Sequence, residues 1–437
     1  MAAFSQGRTS RLQLLGAVSV ILLFACGSSS GPQGKTFSGT LQIAQFTSFT
    51  GPNASFGPEG QAGCIPAANI INSEGGVLGH QVNCLAVDTR GDPADAVPAA
   101  NQVVAAQPNL VAILGPTSDE ADATIPIFNR SKITMFATAG SARYDKSIYK
   151  YLWRNTPADD VNGYALAIWA KQKGYTRAAA IFGGDVSSQG SKPTAIAGFE
   201  KLGGTITSTI DLALDQSSYR SEVEQVLANN PQVIFTEADP QTDATFFQEL
   251  LQSHGSLLPI IGTQPTQDQG WLDAVSHAVG KNNLAAAYTS VAPFADPSGP
   301  AYSLFDAALK NAGSAVPDYQ QWETDPYAMT AYDAVNIIAL AMIVANSNDS
   351  AIYNDDILKV TTNSAGVTVV NNYKDGKAAL AAGKTIDYVG NGGELAFDQW
   401  HNSPGQFGVY TYTPADPKNQ TTLVGNVTSA QIAQVKG

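Results

Sequence analysis

The chain has 437 residues, 44% of them hydrophobic and only 14% charged, with a formal net charge of −13. That length admits two or three domains with sizeable cores. The apolar content argues against disorder, and the acidic balance argues against a nucleic-acid partner.

In chain order, the first segment reads as an export signal. Arg8 and Arg11 precede the apolar run "LLGAVSVILLFA" (14–25), which is too short to span a bilayer as a helix. "LFAC" (23–26) resembles a bacterial lipobox, in which Cys26 becomes the lipidated first residue of the mature chain. Phe24 departs from that pattern, and the alternative is an ordinary secretory peptide cleaved near Ala25. Residues 1–25 are therefore a signal peptide and 26–39 a flexible tether, with export in either case. With Cys26 set apart, Cys64 and Cys84 remain as an even pair. In an oxidising compartment that suggests a disulfide; two buried free thiols are the alternative.

Strands and helices then alternate. "TLQIAQFTSF" (40–49), "HQVNCLAVDT" (80–89), "LVAILGP" (110–116) and "ITMFATA" (133–139) read as strands. The segments 59–76, 92–106 and 118–131 between them read as helices. The pattern restarts with a helix over 160–175, and strands follow at 177–184, 205–213, 232–238 and 258–264 with helices between. Such alternation implies parallel sheets with helices on both faces, in two doubly wound Rossmann-like α/β lobes. Ligands of such sheets lie beyond the C-terminal strand ends, here in a cleft between the lobes. The apolar stretch 334–345 reads as a buried helix.

Enzymatic and metal signatures are not found. His80, His254, His277 and His401 lack metal-ligand spacing. "AAGKT" (381–385) is no phosphate loop, because Ala378 stands where that motif needs glycine. No cofactor, metal or catalytic residue is expected.

The stretch 50–104, with "TGP", Phe56-Gly57, "INSEGGVLGHQV" and "DTRGDPADAV", closely resembles the opening of the branched-chain amino-acid-binding family. These are the type I solute-binding proteins of bacterial ABC importers. The segments "YAMTAYDAVNIIALA" (327–341) and 373–405 resemble its closing part, and the resemblance covers 40–412. It implies two lobes joined by a three-segment hinge, with crossovers near 155–160, 290–294 and 392–397. Residues 40–157 with 291–392 would form the N-terminal lobe, and 158–290 with 393–437 the C-terminal lobe.

The resemblance also implies site residues. Thr117 and Ser118 fall at the strand-to-helix turn that holds the ligand carboxylate, and Ala139 and Ser141 at the next turn. The family's ammonium-binding glutamate is replaced by Gln264. Glu237 and Asp239 are the acids that could substitute, with Asp239 preferred. Phe56, Gln189 and Tyr327 are the expected wall residues, with Trp322 a weaker candidate. Asp119 and Glu120 would weaken an anion site unless both face solvent. The implied protein is a monomeric lipoprotein, anchored to a membrane through Cys26 at the periplasm or cell surface. It captures an amino acid or a related amide or carboxylate for an ABC permease. The alternatives are a sensory module feeding a signalling partner and a hydrolase on a related fold.

Overall fold

The computed structural model describes residues 35–51, 53–294, 296–415 and 420–436. The expected signal peptide, Cys26 and most of the tether lie outside them.

The first sheet is built from β1 (Leu41–Thr47), β2 (Val82–Asp88), β3 (Leu110–Leu114), β4 (Thr134–Phe136) and β5 (Leu152–Trp153), in the order β2-β1-β3-β4-β5. All its pairings are parallel. Helices α1 (Phe56–Ser73), α2 (Pro93–Ala106) and α3 (Ser118–Arg130) connect the strands. Every residue of β3 is buried, as a central strand covered on both faces requires. The alternation of β1 splits its side chains between two cores. Leu41 and Ile43 pack with Tyr332 and Val335 on one face, while Ala44 and Phe46 pack with Phe128 and Met135 on the other.

After α4 (Asp159–Gln172) comes a second sheet. Its parallel part is β6 (Arg177–Gly183), β7 (Thr205–Leu212), β8 (Val233–Glu237), β9 (Ile260–Gly262) and β10 (Tyr288–Pro293). A small third sheet joins β11 (Thr368–Val370), β12 (Ile386–Gly390) and β13 (Gly393–Glu394). The antiparallel strands β14 (Phe407–Tyr412) and β15 (Thr421–Val427) then extend the second sheet to the order β15-β14-β10-β9-β8-β6-β7. Here too the faces alternate: Ala178, Ala180 and Phe182 belong to one core, Ala179 and Ile181 to the other.

The chain passes between the two large sheets three times: after β5, after β10 at Phe294, and between β13 and β14. The fold is α/β with two doubly wound lobes. The 20-residue helix Pro326–Ala345 is long and apolar enough to cross a membrane, but most of it is buried inside the protein. It packs so closely on α1 that a Cβ at Gly63 would lie 2.0 Å from the Ala328 carbonyl oxygen. Cys64 on α1 and Cys84 on β2 are joined in a disulfide, with Cα atoms 6.0 Å apart.

Candidate functional site

The C-terminal strand ends of both sheets converge on a cavity of about 770 Å³, the open solvent at its mouth included. One wall comes from the first lobe. Gln45 and Thr47 end β1, Gly115 to Ser118 link β3 to α3, and Thr138 follows β4. Gly115 adopts a φ of +110°, and a Cβ there would lie 2.2 Å from the Phe46 carbonyl oxygen. Only glycine lets β3 end this close to β1. Phe56 and Glu59 reach in from α1, and Tyr327 and Thr330 from the helix Pro326–Ala345. The opposite wall carries Asp159 and Asn162 on α4, Ser187, Glu237 at the end of β8, and Pro265.

The turn into α3 is already rich in negative charge. Glu120 is fully buried and accepts from the Thr117 N–H at 3.1 Å and the Thr117 hydroxyl at 2.8 Å. Burial outweighs those bonds and raises its pKa to about 7. Asp119 accepts from the Asn53 amide at 3.1 Å and, across the cleft, from the Ser187 N–H at 3.0 Å. Glu120 is shut off from solvent and Asp119 is half-buried, so neither is fully solvated as a carboxylate cradle would prefer. Ser118 Oγ accepts from the Gly140 N–H at 3.2 Å, which leaves its own proton free to donate into the cavity.

Across from this turn stand two carboxylates. Glu237 is 7% exposed and accepts from the Thr263 hydroxyl at 2.6 Å. Burial, then the charge of Asp159, pushes its pKa well above the ordinary carboxylate value. The Asp159 pKa is raised to about 7 by burial, with Arg154 opposing. Arg154 itself does not line the cavity. Its guanidinium donates to the Ser141 carbonyl at 3.1 Å, the Ala139 carbonyl at 3.4 Å and Asn402 Oδ1 at 2.7 Å.

Of the residues expected from the sequence, Phe56, Thr117, Ser118 and Tyr327 meet at this cavity, together with Glu237. The rest are placed elsewhere. Ala139 and Ser141 face Arg154 through their carbonyls, and Thr138 takes their place on the wall. Gln189 donates to Asp211 at 3.2 Å, away from the cavity. Asp239 caps the helix Pro240–His254, accepting from the N–H groups of Gln241 at 3.0 Å and Thr242 at 3.1 Å. Capping holds one Asp239 oxygen against its own helix, and the residue lines a separate cavity with Asn53, Ser55 and Phe56, whereas Glu237 lines this one. Trp322 is buried among the first-lobe core residues.

Gln264 lies behind the wall, 1% exposed. Its Nε2 donates to Glu59 at 3.1 Å, Asp268 at 3.2 Å and Asp325 at 3.4 Å. The oxygens of these three acids lie within 4.8 Å of one another, a grouping with the donors of a cation site that sequence spacing did not signal. Gln264 and Asp268 follow β9, whereas Glu59 and Asp325 belong to α1 and the cap of Pro326–Ala345, so the cluster spans the cleft. Ser55 adds another cross-cleft bond, to Asp268 at 2.7 Å.

Gln45, Glu59, Asn155, Asp159 and Asn162 were not singled out by sequence. Asn155 and Asp159 do fall in the first expected crossover, and an acid or amide in a hinge beside a cleft is the signal that could have marked them.

A periplasmic binding protein family matches residues 40–406. Among curated proteins, the leucine-, isoleucine-, valine-, threonine- and alanine-binding protein of Pseudomonas aeruginosa is 30% identical over 157 residues, 36% of this chain and 40% of that protein. A Leu/Ile/Val-binding protein homologue of Brucella melitensis is 38% identical over 64 residues, 15% of this chain and 17% of that one. The matched stretches thus span less than half of either relative. Solved structures align over nearly their whole length. A leucine-binding protein from Thermotoga maritima has a TM-score of 0.71 at 18% identity, covering 89% of this chain and 99% of that one. A branched-chain amino acid transporter substrate-binding protein from Streptococcus pneumoniae, in complex with isoleucine, gives 0.69 at 16% identity, with 88% and 99% covered. An ABC transporter solute-binding protein from R. palustris, in complex with 4-hydroxybenzoate, gives 0.70 at 17% identity, with 91% and 100% covered.

Proposed function

Because the chain belongs to the periplasmic binding protein family, we propose that it is an exported solute receptor that captures an amino-acid-like ligand between its lobes and hands it to an ABC permease. The ligand ammonium sits against Glu237 and Asp159 on one wall, and its polar or anionic end meets the Ser118 hydroxyl on the other. Phe56, Phe136 and Tyr327 provide the apolar contact around the ligand's tail. No covalent step is involved; affinity comes from charge-assisted hydrogen bonds in a closed, desolvated cleft. Residues 40–157 and 291–392 act as one lobe and 158–290 with 393–437 as the other, closing about the three passages. Lipid on Cys26 keeps the protein, a monomer, at the membrane.

The observation that carries this reading is the pair Glu237 and Asp159 on the wall of a cleft with no cationic side chain among its described lining residues. It is supported by two relatives whose names specify leucine, isoleucine and valine. Calorimetric titration with amino acids, carboxamides and aromatic acids tests it. Binding of amino acids, lost on removal of the ammonium group, is expected. Binding of aromatic acids alone, with no amino acid bound, would contradict it.

A further inference from the structure

The hydrogen-bonding inventory of the cavity is lopsided toward acceptors. Glu59, Asp159 and Glu237 line it, and no Lys, Arg or His does so among the described residues. Two buried amides add acceptors that lack donors. Gln45, 4% exposed, spends its Nε2 on Thr47 Oγ1 at 3.3 Å while its Oε1 has no partner. Asn162, 8% exposed, has an unpartnered Oδ1. Buried acceptors without donors cost free energy, so an occupant rich in N–H groups is the one that relieves them.

The acids fall into two poles. Glu237 and Asp159 both line the second-lobe wall, and the charge of Asp159 raises the proton affinity of Glu237. Glu59 enters from α1, backed by Asp268 and Asp325. Tyr327 on the cavity wall feels the charge of both groups, while Phe56 and Phe136 supply apolar surface. Behind Glu59, the uncharged amide of Gln264 is shared among three carboxylates, and Glu59 and Asp325 also share a hydrogen bond. A single ammonium on the Glu237 side answers one pole and leaves the other with no cation beside it, its acids quieted only by the protons they hold.

We propose that the solute carries two cationic nitrogens joined by an apolar chain, one held by Glu237 and Asp159 and the other by Glu59. A diamine and a basic amino acid share that chemistry. The inference rests on the cavity being the solute site and adds its second pole.

Calorimetry on the purified protein, in buffer containing a chelator, tests it with diaminobutane, lysine and leucine. One or both dications should bind at least tenfold more tightly than leucine. Diaminobutane alone would identify a free diamine; lysine alone would show that the α-carboxylate is also read. In Glu59→Gln the ratio of dication to leucine affinity should fall at least tenfold. If that variant fails to fold, the ranking of the three ligands on the unaltered protein still decides. Leucine binding as tightly as either dication would overturn the second pole while leaving the amino-acid reading intact. A response to calcium in a parallel titration without chelator, with all three compounds silent, would overturn both and assign the acids to a metal.

Discussion

Glu237 and Asp239 are two residues apart in "FTEADP", yet the fold gives them different work. Asp239 begins a helix and spends one carboxylate oxygen on its first-turn amides, whereas Glu237 ends β8 and faces the cleft. Asp239→Ala should lower stability by about 1 kcal/mol, the usual worth of an N-cap, and leave affinity unchanged when unfolding and titration are compared. Glu237→Gln should weaken binding of an ammonium ligand by about 1.5–3 kcal/mol, the worth of a charge-assisted hydrogen bond. Equal affinity in the variant and the parent would remove Glu237 from the site. Ser118→Ala should cost a carboxylate ligand about 1 kcal/mol if its hydroxyl donates, and an ammonium ligand without a carboxylate almost nothing. The pH dependence follows from Asp159, whose pKa is raised to about 7. A cation needs the ionised carboxylate, so affinity should be low near pH 5 and rise as pH passes through about 7. Calorimetry across that range checks the sign.

At the scale of elements, the sequence was most legible where periodicity and turn chemistry agree. β1 to β4 and β6 to β9, and α1 to α3, lie where the alternation of apolar runs and helix caps places them, whereas the two-residue β5 was not expected. The turn from β3 into α3 was legible through Gly115 and Ser118. Less legible was the closing part. β14 and β15 join the second sheet antiparallel, and β11 to β13 form a small sheet; neither arises from a βαβ repeat. The site was half legible for a similar reason. Phe56 and Ser118 sit in recognisable motifs, but Asp159 and Asn162 reach the cleft only because α4 begins directly after a passage between the lobes. The direction of a capping carboxylate, which separates Asp239 from Glu237, depends on three-dimensional contacts that no spacing encodes. The contact between α1 and Pro326–Ala345 depends on Gly63. Gly63→Ala should cost about 1–3 kcal/mol through overpacking; a denaturation midpoint unchanged by it would contradict that close approach. Reducing the Cys64–Cys84 bond, which spans 20 residues, should cost about 3 kcal/mol by loop entropy.

For the whole molecule, the excess of buried acids makes stability depend on pH in an uncommon direction. Burial raises Glu120, Asp159 and Asp333 to about 7 and Asp243 and Asp268 to about 8. In the unfolded chain such groups titrate near 4. Between those values the folded state holds more protons, so stability falls as pH rises from about 5 to 8. The ligand-free protein should therefore melt at a higher temperature at pH 5 than at pH 8, and a calorimetric scan giving the reverse would contradict it. A cation held in the cavity as proposed would supply a counter-charge to Asp159, the one of these five acids that lines it. At about 100 times its dissociation constant it should restore near 3 kcal/mol. The lobes are joined across the cleft by Asp119 with Ser187, Ser55 with Asp268, and Gln264 with Glu59. A solute in the cavity is thus enclosed by bonds that the lobes make directly with each other. The most direct test of the account is a crystal structure of the protein with its solute bound. A cationic nitrogen within hydrogen-bonding distance of both Glu237 and Asp159 is the result expected. A ligand whose carboxylate faces those two residues, or one seated outside the cleft, would contradict it.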